Sequence, residues 1–450
     1  MMKKLTISFF LLYLTAAIWA SEVVIWATSD IHGNIINKQC GMLKIASLLQ
    51  EKRGHSDILI DAGDLWQGSY AANISNGSIV INAFNAMNYD IFVPGNHDFE
   101  FGKVILNENL NKIKAQVLSC NWNFEPPHSN IKPYVILERN NFRIGIIGAA
   151  ERDSKYRITV DKSFHFEDEA AAIGRALKDL RKEKVDLIVL VRHGGIYFSG
   201  GSLFSLLKLF PEIDVVIGGH SHELVRGRKI AGAYYVQPGK FAEGISEIRV
   251  KFDKNRKIQR ISSLYHDVST YPAAQYMKDI AAEEKVIHKS GYHTFTRKIP
   301  ENLKNIIDVQ KYLILQSVEN ETSGDADIFF ADKSGLEWRG NLNKYLLYRM
   351  FPYENQIVTI PVTVNELHII LDECRKYSQK YKVPLVSRSK YGNKKYFLLR
   401  TTSFILSGGG RNFPESRRIA ERKINEIKQY KSLRFAVTDY LNKSASGTNR

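Results

Sequence analysis

The sequence predicts an α/β protein built on a largely parallel sheet covered on both faces. Two observations predict it. Short runs that are apolar throughout recur over the first 250 residues, and segments with helical periodicity and charged faces lie between them. Strands that are apolar on both faces need cover on both, and alternation with helices supplies that cover. A third observation points to function. Each of five such runs ends in Asp, Asn or His close to a glycine, and sites in open α/β sheets form at the carboxyl ends of strands.

The elements follow in order. Residues 23–27 read as the first strand, ahead of Asp30 and His32, and "GMLKIASLLQEKRG" (41–54) as a helix. Residues 58–60 form the second strand, ahead of Asp61, which caps the turn and is given no ligand role, and Asp64. "YDIFVPGNHDFE" breaks at Pro94 and Gly95 and then presents Asn96, His97 and Asp98. "KAQVLSCNWN" and "FRIGIIGAA" add strands, and "DEAAAIGRALKDLRKEK" (168–184) adds a helix. The runs 187–191 and 215–217 lead to His193 and to His220 and His222. "GISEIRVKF" alternates with period two, as an antiparallel strand does.

Composition sets the bounds. The chain has 450 residues, 44% hydrophobic and 24% charged, which suits a globular protein of two or three domains. Its formal charge is +16, and residues 371–450 carry 19 basic and 6 acidic side chains, net +13. No recognised nucleic-acid motif accompanies that charge, so it reads as a solvated face or as an attraction for small phosphates, and no nucleic acid is expected as a partner. Lys3 and Lys4, the apolar run Leu5–Ile18 and Ala20 form a signal-peptide pattern over residues 1–20. The mature chain is then expected to be periplasmic or secreted, with no membrane span. Cys40, Cys120 and Cys374 match no metal motif and are expected as free thiols.

The residue types at the strand ends decide the chemistry. Asp30, His32, Asp64, Asn96, His193, His220 and His222 are too many ligands for one tetrahedral ion and suit two ions of five- or six-fold coordination. Such a pair, about 3.5–4 Å apart, generates a hydroxide and clamps a phosphoryl oxygen. Asp64, from a middle strand, is the natural bridge. Manganese, zinc, iron, cobalt and magnesium all accept this ligand set. His97 and Asp98 remain, and suit an imidazole beside the leaving group oriented by a carboxylate.

The ordered set "SDIHGN", "DAGDLWQG", "PGNHDFEFG", "VRHGG" and "GGHSH" resembles the calcineurin-like metallophosphoesterases. More closely it resembles the bacterial 5′-nucleotidase, UDP-sugar hydrolase and 2′,3′-cyclic phosphodiesterase family. The resemblance covers roughly residues 22–255. It implies a two-layer β-sandwich metallophosphoesterase domain flanked by helices, with a smaller α+β C-terminal domain of 5′-nucleotidase type. The expected division is signal peptide 1–20, metallophosphoesterase domain 21–270, linker helix 271–290 and substrate-binding domain 291–450.

The resemblance also implies roles. Asp30, His32, Asp64 and His222 hold one metal, and Asp64, Asn96, His193 and His220 the other. His97 with Asp98 forms the catalytic dyad. Tyr353 in "MFPYENQ" and Phe404 in "TTSFILSGGGRNFP" match the two aromatics that sandwich a nucleobase, and Arg339 and Arg411 stand near the substrate. The implied activity is an exported dimetal phosphohydrolase acting on phosphate esters of nucleotides or related small molecules by hydroxide attack. The alternatives are a hydrolase of sulfur-containing esters and a non-catalytic anion-binding relative. The chain departs from the family pattern at three places. Gly410 stands where an Asp usually holds the ribose hydroxyls, Arg339 is out of step, and the usual Gly-Asn-Leu helix start is missing from "NLKNIIDVQ". Arg192, before His193, reads as a contact to substrate phosphate or to solvent.

Overall fold

The structure, a computed structural model, describes residues 22–443 except 125–127, 151–163, 199–200, 296, 332–337, 339–341, 354, 390–393 and 410–411. Two sheets face each other in the first part of the chain. Across the first lie Ile258–Asp267, Gly244–Phe252, Glu22–Thr28, Ile58–Asp61, Ile91–Phe92, Gln116–Leu118 and Ile131–Lys132. The pairs from Glu22–Thr28 to Ile131–Lys132 are parallel, and Gly244–Phe252 joins antiparallel, as its alternation predicts. Across the second lie Leu224–Ile230, Ala233–Pro238, Val215–Gly218, Leu187–Arg192, Phe142–Ala149 and Tyr134–Arg139, parallel at the centre and antiparallel at both edges.

The covering layers explain why these strands are apolar throughout. Side chains alternate along a strand, so Val23, Ile25 and Ala27 point one way and pack with Val189, Val191, Val215 and Ile217 of the second sheet. Val24 and Trp26 point the other way, into a core shared with the helices Met42–Lys52 and Ser78–Ala86. The outer face of the second sheet is closed by Glu169–Leu180 and Leu203–Leu209. One cover of each sheet is therefore the other sheet, which makes the sandwich, and the remaining cover is helical.

The later part of the chain forms a five-stranded mixed sheet ordered Leu385–Ser389, Ala326–Phe330, Tyr396–Thr402, Gln356–Thr363, Lys428–Ser432. Ile306–Glu321 and Leu433–Asn442 pack on one face and Val364–Tyr381 and Pro414–Arg422 on the other. Thr363 and Glu366 form a reciprocal cap at the start of Val364–Tyr381. Asn305 caps Ile306–Glu321, so this helix starts well without the Gly-Asn-Leu pattern. Between the two parts runs Lys278–Ser290, which begins after a single 3₁₀ turn at Gln275–Met277, later than Pro272 suggests. The three cysteines are free.

Candidate metal centre and pocket

The parallel strands deliver their polar residues to one edge of the sandwich. The turns that follow them are unusual. Asp30, His32, Asp64, His220 and His222 all have φ between 50° and 71°. Left-handed backbone is uncommon outside glycine and costs about 1–3 kcal/mol per residue where it is strained. Five such residues within one cluster show that the turns are set by what the side chains must reach. Gly95 marks the closest approach: a Cβ there would lie 2.3 Å from Asp64 Oδ1 and 2.7 Å from His193 Cε1.

The donors converge. Asp30, His32 and His222 bring one atom each within 4.8 Å of one another, and so do Asp64, His193 and His220, and His32, Asp64 and His97. His32 Nε2 and His222 Nε2 face each other at 3.0 Å, and His193 Nε2 lies 3.2 Å from Asp64 Oδ2. Two imidazoles are fixed from behind. His32 Nδ1 lies 3.1 Å from the Gln67 carbonyl and His193 Nδ1 2.6 Å from the Ala62 carbonyl. A carbonyl only accepts, so Nδ1 carries the proton in each ring and Nε2 offers its lone pair to the cluster. Asn96 Oδ1 lies 2.7 Å from His220 Nδ1, while its buried Nδ2 has no partner among the described residues.

The electrostatics ask for cations. Burial raises the Asp30 carboxyl to about 7 and lowers the His32 and His222 imidazoles to about 3 and about 4, so both rings are neutral at neutral pH. Burial also opposes charge on Asp64, but His193 and His97 outweigh it and hold that carboxyl well below the usual range. The donor set and its tautomers fit a pair of divalent ions.

The residues around His97 differ from the sequence expectation. The Asp98 carboxylate accepts from the backbone N–H groups of Asp64, Leu65 and Gly95 at 2.8–2.9 Å and of Trp66 at 3.3 Å. It clamps the Asp64 turn. The carboxylate beside His97 belongs to Glu100, with Oε1 2.7 Å from Nδ1. Asn96–Phe99 is one turn of 3₁₀ helix, which sets side chains three apart over one another. That i, i+3 spacing was the signal available in "NHDFE". Two substitutions separate the roles. Glu100→Gln is expected to lower kcat by roughly tenfold or more with the melting temperature unchanged. Asp98→Asn is expected to destabilise the fold by about 2 kcal/mol or more, because buried N–H groups lose their acceptor. Paired kinetics and thermal melts check both.

Arg192 is turned away from solvent. It is 4% exposed, pairs with Glu169, and donates to the Gly195 carbonyl at 3.0 Å.

A pocket of about 310 Å³ opens beside the cluster. His97 lines it together with Tyr353 and Phe404, as do Phe330, Tyr377 and Asn355, which sequence reasoning missed. The His97 ring stands 5.1 Å from His32 and 5.5 Å from Tyr353, so it joins the donor cluster to the pocket. Phe404 meets Tyr377 and Phe413 edge-on. Arg339 and Arg411, with Gly410, lie outside the described residues.

Paired strand-end carboxylates and imidazoles on a helix-flanked double sheet define a metallophosphoesterase architecture, and comparison with known proteins agrees. Residues 23–224 match the family model of the calcineurin-like phosphoesterases, a likeness that supports this family for the chain. It is 28% identical to human 5′-nucleotidase over 241 residues, covering 47% of this chain and 41% of that one. It is 23% identical to the trifunctional nucleotide phosphoesterase YfkN of Bacillus subtilis over 297 residues, covering 57% of this chain and 20% of that one. These matches thus span under half of either relative. The solved 5′-nucleotidase precursor of Thermus thermophilus shares the fold over 94% of this chain and 96% of that one, with TM-score 0.69 and 18% identity.

Proposed function

We propose that the protein is a dimetal phosphohydrolase that cleaves phosphate esters of nucleotides or related small molecules. The observation that carries the proposal is the convergence of two donor groups on Asp64, beside an aromatic pocket that shares His97. Asp30, His32, Asp64 and His222 would hold one ion, and Asp64, Asn96, His193 and His220 the other. When bound, the ions supply Lewis acidity and an activated water. The chain's own residues do the rest. Gln67 and Ala62 hold the ligand tautomers through their carbonyls. Glu100 orients His97, whose other ring nitrogen donates to the ester oxygen as charge develops there. Tyr353 and Phe404 hold the flat leaving group in the pocket.

The same reading divides the chain at 21–270, 271–290 and 291–450, the last part presenting the pocket wall to the metal centre. Among the described residues no helix is long and apolar enough to cross a membrane. Export to the periplasm or the medium rests on residues 1–20, outside the described residues.

The test is a panel of AMP, deoxy-AMP and an aryl phosphate with added manganese, together with elemental analysis. Turnover with two ions per chain is expected. Tyr353→Ala is expected to raise KM for AMP roughly three- to tenfold, the loss of one stacking partner. With Gly410 in the ribose slot, kcat/KM for AMP and deoxy-AMP should agree within about tenfold. Bound metal without turnover of any ester would make the protein a binding relative.

A further inference from the structure

Gln67 is neither a member of the donor cluster nor a wall of the pocket, yet it touches the supports of both. It is fully buried in the turn after Asp64. Its backbone carbonyl holds the Nδ1 side of His32 at 3.1 Å, and its side-chain Nε2 donates to the Pro352 carbonyl at 2.8 Å. A carbonyl only accepts, so the amide must present its nitrogen there. Its Oε1 has no partner among the described residues. An amide buried with its oxygen unpaired is a poor device for stability alone.

Pro352 immediately precedes Tyr353, whose ring stands 5.5 Å from that of His97. The same segment is held from a second direction. Arg434, buried in the helix Leu433–Asn442, donates from Nη1 to the Phe351 carbonyl at 3.1 Å and to the Pro352 carbonyl at 3.2 Å. Residues 351–353 are therefore pinned between the turn that positions His32 and the last helix of the chain.

We infer that Gln67 is a positioning residue that sets the register of the Tyr353 segment against the His32–His97 side of the metal centre. Through it, the part of the substrate held in the pocket is aligned with the ester to be cleaved. This rests on the phosphohydrolase reading above. Gln67 acts through a backbone carbonyl, so its removal loosens the pocket wall while the donor cluster keeps its ligands.

The experiment is a double-mutant cycle between Gln67→Met and Tyr353→Ala in the full chain, read as KM and kcat for AMP and as metal content. Gln67→Met keeps the length and loses the donor. It is expected to raise KM roughly tenfold, with kcat within about threefold and two ions retained. The double variant is expected to have a KM close to that of the worse single variant, because the two residues act as one unit. Should Gln67→Met not fold, Gln67→Asn, one methylene too short to reach Pro352, is read in the same way. Multiplicative KM effects, loss of metal, or a fall in kcat alone would overturn the inference. Parent protein without turnover of AMP would instead remove the reading on which it rests.

Discussion

Asp64→Ala is expected to lower turnover by roughly 10³-fold or more and to leave at most one bound ion per chain. Asp64 is the one carboxylate that belongs to two of the donor groups centred on different histidines. Its Oδ2 lies 3.2 Å from His193 Nε2 and 3.8 Å from His32 Nε2, and its Oδ1 accepts the His97 backbone N–H at 2.7 Å. Alanine removes the shared negative charge, the only group placed to hold both ions at once in this reading, and a buried hydrogen-bond acceptor. Activity is not the only readout. Ligands that bind the native state stabilise it by mass action, so adding manganese should raise the melting temperature of the parent and raise that of the variant much less. Two ions retained by Asp64→Ala would end the bridging assignment.

His97→Asn is expected to lower kcat by roughly 10²–10⁴, the range for loss of a general acid or an oxyanion donor. Metal content should stay at the parent value. His97 lies within reach of His32 and Asp64 and also lines the pocket, so position alone allows it to be a ligand or a proton donor. Its contact with Glu100 favours the second role, because a carboxylate 2.7 Å from Nδ1 orients the ring for proton transfer through its other nitrogen. Kinetics and elemental analysis on the same preparation decide between them. Loss of one ion would make His97 a ligand, and near-parent kcat would return "GNHD" to the role of a turn.

By itself the sequence determined the strands that end in polar residues, because a short run that is apolar throughout and is followed by glycine and polar residues is a local signal for a buried strand. The rule that sites gather at carboxyl ends of strands then brought Asp30, His32, Asp64, Asn96, His193, His220 and His222 onto one list, and the structure sets all seven at one edge of the sandwich. The alternation in "GISEIRVKF" likewise marked an antiparallel strand, which lies between Ile258–Asp267 and Glu22–Thr28. Tertiary structure decided what local pattern does not encode. Burial on both faces reads the same whether the cover is a helix or a second sheet, so the facing of Val23 and Val189 came only from the assembled core. Which carboxylate serves His97 depended on the 3₁₀ turn, which carries Asp98 away to the Asp64 backbone and lifts Glu100 beside the ring. Arg192, before His193, read equally as a contact to substrate phosphate or to solvent, and the helix at Glu169 takes its charge. Phe330, Tyr377 and the Gln67–Pro352 bond meet the site from segments far apart in the chain, 285 residues in the case of that bond. Contacts at such separation leave no periodicity to read, because they are fixed by how the sheets pack and not by the residues on either side of them.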